Sequence, residues 1–175
     1  MENVLVTPTR RSRGVDLSDC ASYFINDRRQ NQYMGDENFP IQENWLKLRI
    51  EESVWDRWSE VVRENIEELR HSDSFDEICR KLQRKKIKGI GAEAIISTAA
   101  QIAYKYELPI DDSCWHIGYL QRASVFKLIR SYNAGPLEFC LYNIFQFERL
   151  DSSERILCVI RYADLIKKFV RYGCR

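Results

Sequence analysis

Residues 75–106 read FDEICRKLQRKKIKGIGAEAIISTAAQIAYKY, and the fold turns on this stretch. Phe75, Ile78 and Leu82 fall at three- and four-residue steps, the spacing of a helix that buries one face. Ser74, with Glu77 three residues later, is a capping-box signature for its start. The helix runs to about Arg84 and gives way to Ile87-Lys88-Gly89-Ile90-Gly91. A second helix follows from Ala92 to Tyr106, with Ala94, Ile95, Ala99, Ile102 and Ala103 on overlapping inner faces. Its small residues allow a neighbouring helix to approach closely.

The turn has a chemistry of its own. Glycines at alternate positions permit backbone dihedrals closed to other residues and leave the main chain open to a phosphate. Ile90 between them is placed to pin the turn to the core. The second helix starts where unpaired amide N–H groups and the positive end of the macrodipole converge, a ready anion site. Between Glu77 and Glu93 the chain carries Arg80, Lys81, Arg84, Lys85, Lys86 and Lys88 and no acid. A basic approach to such a turn suits phosphate contact, which is indifferent to base sequence.

Outward from this segment the pattern stays helical. One long amphipathic helix is expected from Gln42 to Leu69, with Trp45, Leu46, Ile50, Val54, Trp58, Val61, Val62, Ile66 and Leu69 inward and Glu51, Glu52, Glu60, Glu64 and Glu67 outward. Its tryptophans read as core anchors. Ser18 caps an earlier helix, and residues 31–40 form a loop. Trp115 to Tyr119 fits either a short strand or a helix start, and Phe126 to Ile129 is helical. A core helix begins at Pro136 and runs to about Phe147. A last helix, capped by Asp151 and Glu154, carries Ile156, Leu157, Ile160, Ala163, Ile166 and Val170 inward. The expected fold is all-α, a compact bundle of about six helices with this one hairpin.

Composition narrows the function classes. A chain of 175 residues fits one domain: a basic arm over 1–16 with Arg10, Arg11 and Arg13, then a helical domain over 17–175 holding the hairpin at 75–106. With 27 basic and 26 acidic residues the net charge is +1, so an argument for an anionic partner must be local. The cysteines (Cys20, Cys79, Cys114, Cys140, Cys158, Cys174) are widely spread with no Cys-x-x-Cys pair, so no metal or other cofactor is expected. Reduced cysteines, no signal-like start and no membrane-length apolar run lead to the expectation of a soluble, cytoplasmic protein with no membrane contact and no small-molecule substrate.

On Lys88-Gly89-Ile90-Gly91-Ala92 and the helix after it, the segment resembles the helix-hairpin-helix family, whose hairpins hold DNA backbones through main-chain amides. The resemblance implies that role for Gly89, Ile90, Gly91 and Ala92, aided by Arg84, Lys85, Lys86 and Lys88. From Gly89 onward the chain also resembles a group of uncharacterised bacterial proteins sharing this hairpin, at His116-Ile117-Gly118 and Glu154-Arg155-Ile156-Leu157-Cys158.

Three functions follow as expectations. The first is DNA-backbone binding without sequence preference, as an accessory in DNA repair, processing or defence. The second is a protein–protein adaptor in which the hairpin is architectural and the acidic tryptophan helix is the partner surface. The third is a monofunctional DNA glycosylase. Glycosylases of this family place a catalytic Asp after the hairpin, where Asp111 and Asp112 stand here, with His116 nearby. Against an enzyme, the position of the family's lyase lysine falls near Glu93, and Asp111-Asp112-Ser113 reads more readily as a helix cap. His71 reads as a cation at a helix end, and His116 as a structural histidine.

Overall fold

The computed structural model describes residues 48–111, 118–131 and 150–172, and the regular structure among them is all helical. Seven α-helices occur there, against the six or so expected: α1 (Glu52–Glu64), α2 (Ile66–Arg70), α3 (Phe75–Lys85), α4 (Ala92–Lys105), α5 (Ser124–Ser131), α6 (Ser152–Arg161) and α7 (Ala163–Tyr172). A 3-10 turn at Tyr119–Arg122 precedes α5, at the end of the stretch that fits either a strand or a helix start. The basic arm, the helix after Ser18, Trp45 and the helix expected from Pro136 lie outside the described residues.

The centre of the fold is α4. From Ala94 through Ala103 every one of its residues is buried, so it presents no outer face. It packs against α6 and α3 most extensively and touches α2 and the 3-10 turn. Ala94, Ser97, Ala99, Ala100 and Ala103 let these neighbours come close on several sides at once. Buried hydroxyls need partners. Ser97 Oγ and Thr98 Oγ1 both donate to the Ala94 carbonyl, at 2.9 and 2.8 Å. Thr98 Oγ1 in turn accepts from Trp58 Nε1 at 3.0 Å, fastening α1 to α4. Around it Phe75, Ile78, Leu82 and Phe126 are buried, each contributing about 1.5–3 kcal/mol by leaving water.

Local signals place the helix ends. At α3, Ser74 Oγ accepts from Glu77 N at 3.2 Å, while the Glu77 carboxylate reaches the Asp73 amide at 2.7 Å. The capping box is present with its return bond shifted one residue outward. At α6 the box is complete: Glu154 N donates to Asp151 Oδ1 at 2.8 Å and Asp151 N to Glu154 Oε2 at 3.1 Å.

Two expected helices are interrupted. The run from Gln42 begins only at Glu52 among the described residues and breaks at Asn65. The Asn65 side chain donates to the Val61 carbonyl at 2.7 Å, and its own amide turns to Val62 O at 3.2 Å, tightening the ladder for one residue. The C-terminal run bends at Tyr162 (φ −101°, ψ 20°), with hydrogen bonds from Tyr162 N to Cys158 O and from Ile166 N to Tyr162 O bridging the bend. Hydrophobic spacing continues through both breaks, so periodicity alone joins what the backbone divides.

Gly118 belongs to a second fastening. Its φ is +88°, and a Cβ there would overlap the Asp76 carboxylate. Asp76 Oδ1 accepts from the Tyr119 amide at 2.7 Å, and the Tyr119 hydroxyl bonds Gln83 Oε1, so both ends of α3 hold the 3-10 turn. Arg122 lies over the Tyr119 ring at 4.5 Å. Burial pushes the Tyr119 hydroxyl above its ordinary 10.0.

The far end of α4 closes with the Schellman pattern: Leu108 N bonds Ala103 O at 2.9 Å and Glu107 N bonds Tyr104 O at 3.3 Å. The left-handed position this requires is held by Glu107 at φ +52°, where glycine is the usual occupant. An L side chain there costs roughly 1–2 kcal/mol, and a carboxylate opposes the negative end of the helix. Glu107→Gly is therefore expected to stabilise the protein by about 1 kcal/mol, read as a higher urea midpoint with an unchanged slope. An unchanged or lower midpoint would show that the strain is relieved elsewhere.

Candidate nucleic-acid interface

The hairpin between α3 and α4 is built by two glycines with different tasks. After α3 the backbone extends at Lys86 (φ −60°, ψ 141°). The chain then reverses in a tight turn closed by Ile90 N to Ile87 O at 3.2 Å. Gly89 occupies the third position at φ +97°, as a type II turn requires, and a Cβ there would stand 3.0 Å from Val54 Cγ1 of α1. Ile90 is buried and anchors the turn. Gly91 is extended (φ −97°, ψ −178°), a conformation open to any residue, and a Cβ there would meet nothing within 4 Å. Gly89 is thus needed for the turn, whereas Gly91 leaves a space.

Gly91 is also the N-cap of α4, and no side chain caps that helix. Its first amides face an exposed Gly91 and a half-buried Ala92. Glu93, in the first turn, is exposed as well and brings a negative charge to the same end.

The cations of α3 divide into two groups. Lys85 Nζ lies 2.8 Å from Glu68 Oε2 of α2. Lys81 Nζ lies 3.0 Å from Glu77 Oε1 and donates to Glu68 O and Ser72 Oγ, both at 3.1 Å. Arg80 lies 3.4 Å from Asp76. These three fasten α3 to itself and to the preceding turn. Arg84, Lys86 and Lys88 are exposed and form no ion pair among the described residues. Of the cations assigned to the interface from sequence, Lys85 is therefore the one already engaged.

Beside the turn opens a cleft of about 540 Å³. Gly89, Gly91, Glu93 and Ala94 form one wall, and residues around Arg49, Val125 and the α6–α7 junction, with Arg161, Asp164 and Lys167, complete it. Arg49, Arg161 and Lys167 bring positive charge there, and Glu93 and Asp164 negative charge. The sequence reading missed these residues, because three distant stretches meet only in the folded chain.

The remaining candidates stand apart. Asp111 is exposed and does not line the cleft. Asp112 and His116, the other catalytic candidates, lie outside the described residues. His71 ends α2 with Nδ1 2.6 Å from Glu67 O. Cys79 and Cys158 are reduced and buried. Among the described residues no group of three or more His, Cys, Asp or Glu side chains is arranged to hold a metal ion, and no helix is long and apolar enough to cross a membrane.

No protein-family model matches the chain, and neither a curated protein nor a solved structure matches it.

The Lys85–Glu68 contact carries a pH signature. The hydrogen bond from Lys85 holds the Glu68 carboxyl below its ordinary 4.5, with Lys81 and Arg84 adding to the effect. A depressed folded pKa means that the contribution is complete above 4.5 and disappears as pH falls through the folded value. Glu68→Gln is expected to lower the urea midpoint at neutral pH, where the contact is complete, and to change it little in acid. It should also flatten the fall in stability as pH drops below about 4.5. An acid limb as steep as in the parent protein would assign that limb to other carboxylates.

Proposed function

We propose that this chain binds the sugar–phosphate backbone of DNA, indifferent to base sequence, through the Ile87–Gly91 turn and the amino end of α4. The observation that carries the reading is the uncapped start of a 14-residue helix at an open glycine. Amides there need an acceptor, and nothing on Gly91 obstructs one. Arg84, Lys86 and Lys88 stand exposed nearby in sequence and supply counter-charge. The resemblance to the helix-hairpin-helix family points to the same ligand. On this reading the protein is an accessory in DNA repair, processing or defence, acting by binding alone.

The adaptor alternative requires an exposed tryptophan surface. Trp55 is 6% exposed and Trp58 is fully buried, so the described part of the acidic helix turns both indoles inward. What it leaves outside is charged. Backbone binding is the better supported function.

The test uses a fluorescent duplex titrated with salt. The Lys86→Glu, Lys88→Glu variant should bind more weakly on every sequence and with a shallower salt dependence, by about 0.9 in the log–log slope for each phosphate that the variant no longer neutralises. Gly91→Val should fold as the parent does, because its Cβ enters open space, yet bind far more weakly. Full binding by a folded Gly91→Val protein would sink the hairpin reading. A Gly89→Val change is less informative, since it strains the turn and presses on Val54.

Glu93 gives an independent check of opposite sign. Its carboxylate shares the first turn with the proposed phosphate site and repels the ligand. Glu93→Gln should tighten binding several-fold at low salt, by roughly 1 kcal/mol, with the gain shrinking as salt is raised. Weaker binding would place Glu93 in a contact of a different kind.

A further inference from the structure

Resting on that reading, we propose that the cleft beside the turn guides a single sugar–phosphate strand away from the hairpin, with Arg49 and Lys167 as further phosphate contacts. The size of the cleft sets the class of ligand. Its volume of about 540 Å³ is that of a sphere ~10 Å across. One strand of a duplex advances about 3.4 Å along the axis per phosphate, so that width spans two or three of them. A B-form major groove alone is about 12 Å wide, so the cleft holds one backbone and the rest of a duplex stays outside.

The lining sets the chemistry. Gly89 and Gly91 place the turn at one side. Arg49, just before α1, and Lys167, in α7, reach the same space from two other parts of the chain. Neither forms an ion pair or hydrogen bond among the described residues. Lys167 is half-buried and lines the cleft, as a long side chain does when its stem lies on apolar surface and its ammonium stays in water. No aromatic side chain lines the cleft among the described residues, so it offers no platform on which a base stacks. The groups that remain are suited to phosphate. Glu93 and Asp164 restrict where it sits.

The bend at Tyr162 positions this surface. Arg161 ends α6 and Ala163 begins α7, so the junction faces the cleft and Lys167 follows one turn later. A helix continuing straight through residue 162 would aim Lys167 in another direction.

The experiment is a salt titration of binding to a 5′-labelled duplex, with folding of each variant verified by circular dichroism. It compares the full chain, Gly91→Val, the pair Arg49→Gln with Lys167→Gln, and a charge-matched control. The control is Arg63→Gln with Arg130→Gln, two exposed residues of α1 and α5 that do not line the cleft. Removing two phosphate partners should make the log–log slope shallower by about 1.8 in the cleft pair, and the control should move it by less than half as much. If the cleft pair matches the control while Gly91→Val abolishes binding, the hairpin holds DNA alone and the strand path is wrong. If the parent chain itself shows no salt-dependent binding, the hairpin reading fails and the strand path fails with it.

Discussion

Burial of α4 on all sides from Ala94 to Ala103 dictates how the neighbouring elements are placed. A helix with no outer face needs a neighbour on every side, and its ten consecutive buried residues are small or aliphatic apart from Ser97, Thr98 and Gln101. The hydroxyls sit there because each has a carbonyl or an indole to bond. The same constraint governs the two ends. The carboxyl end leaves the core through a Schellman turn that satisfies its carbonyls and forces Glu107 into a left-handed conformation. The amino end has no such closure. It emerges at an exposed glycine, where its free amides must be met by water or by a ligand. Core and candidate site are two consequences of one helix.

What was legible in the sequence was what local chemistry decides. Ser74 with Glu77 and Asp151 with Glu154 mark helix starts because a cap needs only residues three apart. The stripe of Phe75, Ile78 and Leu82 reads correctly because α3 has one buried face. Periodicity failed where the inward pattern persists through a backbone break, as with Ile66 after Asn65 and Ile166 after Tyr162. Of the candidate site, the tight turn and the basic run beside it were legible, while the ion pair of Lys85 was not. Its partner Glu68 sits on another helix, and only packing brings them to 2.8 Å. The cleft was illegible for the same reason, since Arg49 and Lys167 stand more than a hundred residues apart.

A net charge of +1 then stops weighing against an anionic ligand. What matters is which cations the fold has already engaged. Lys81 and Lys85 neutralise Glu77 and Glu68, and Arg80 answers Asp76, so half the basic run between Glu77 and Glu93 is occupied in holding α3 in place. Arg84, Lys86 and Lys88 remain, at the end of the run nearest the turn. The division follows from geometry, because Asp76 and Glu77 stand one turn before Arg80 and Lys81 on α3, and Glu68 of the neighbouring α2 reaches Lys85. Charge is thereby left where α3 ends and the hairpin begins.

The same geometry weighs on chemistry at the hairpin. A catalytic carboxylate must stand within hydrogen-bond reach of the group it serves, directly or through one water. Helix α4 has 14 residues, so its two ends are about 20 Å apart at 1.5 Å per residue. Asp111 follows the far end, is exposed, and does not belong to the walls of the cleft that the turn opens into. The carboxylates that do line the cleft are Glu93 and Asp164, both exposed and in the company of cations. The turn itself offers groups of another kind, the uncapped amides of α4 with the exposed Arg84, Lys86 and Lys88 close by in sequence, which are suited to an anion.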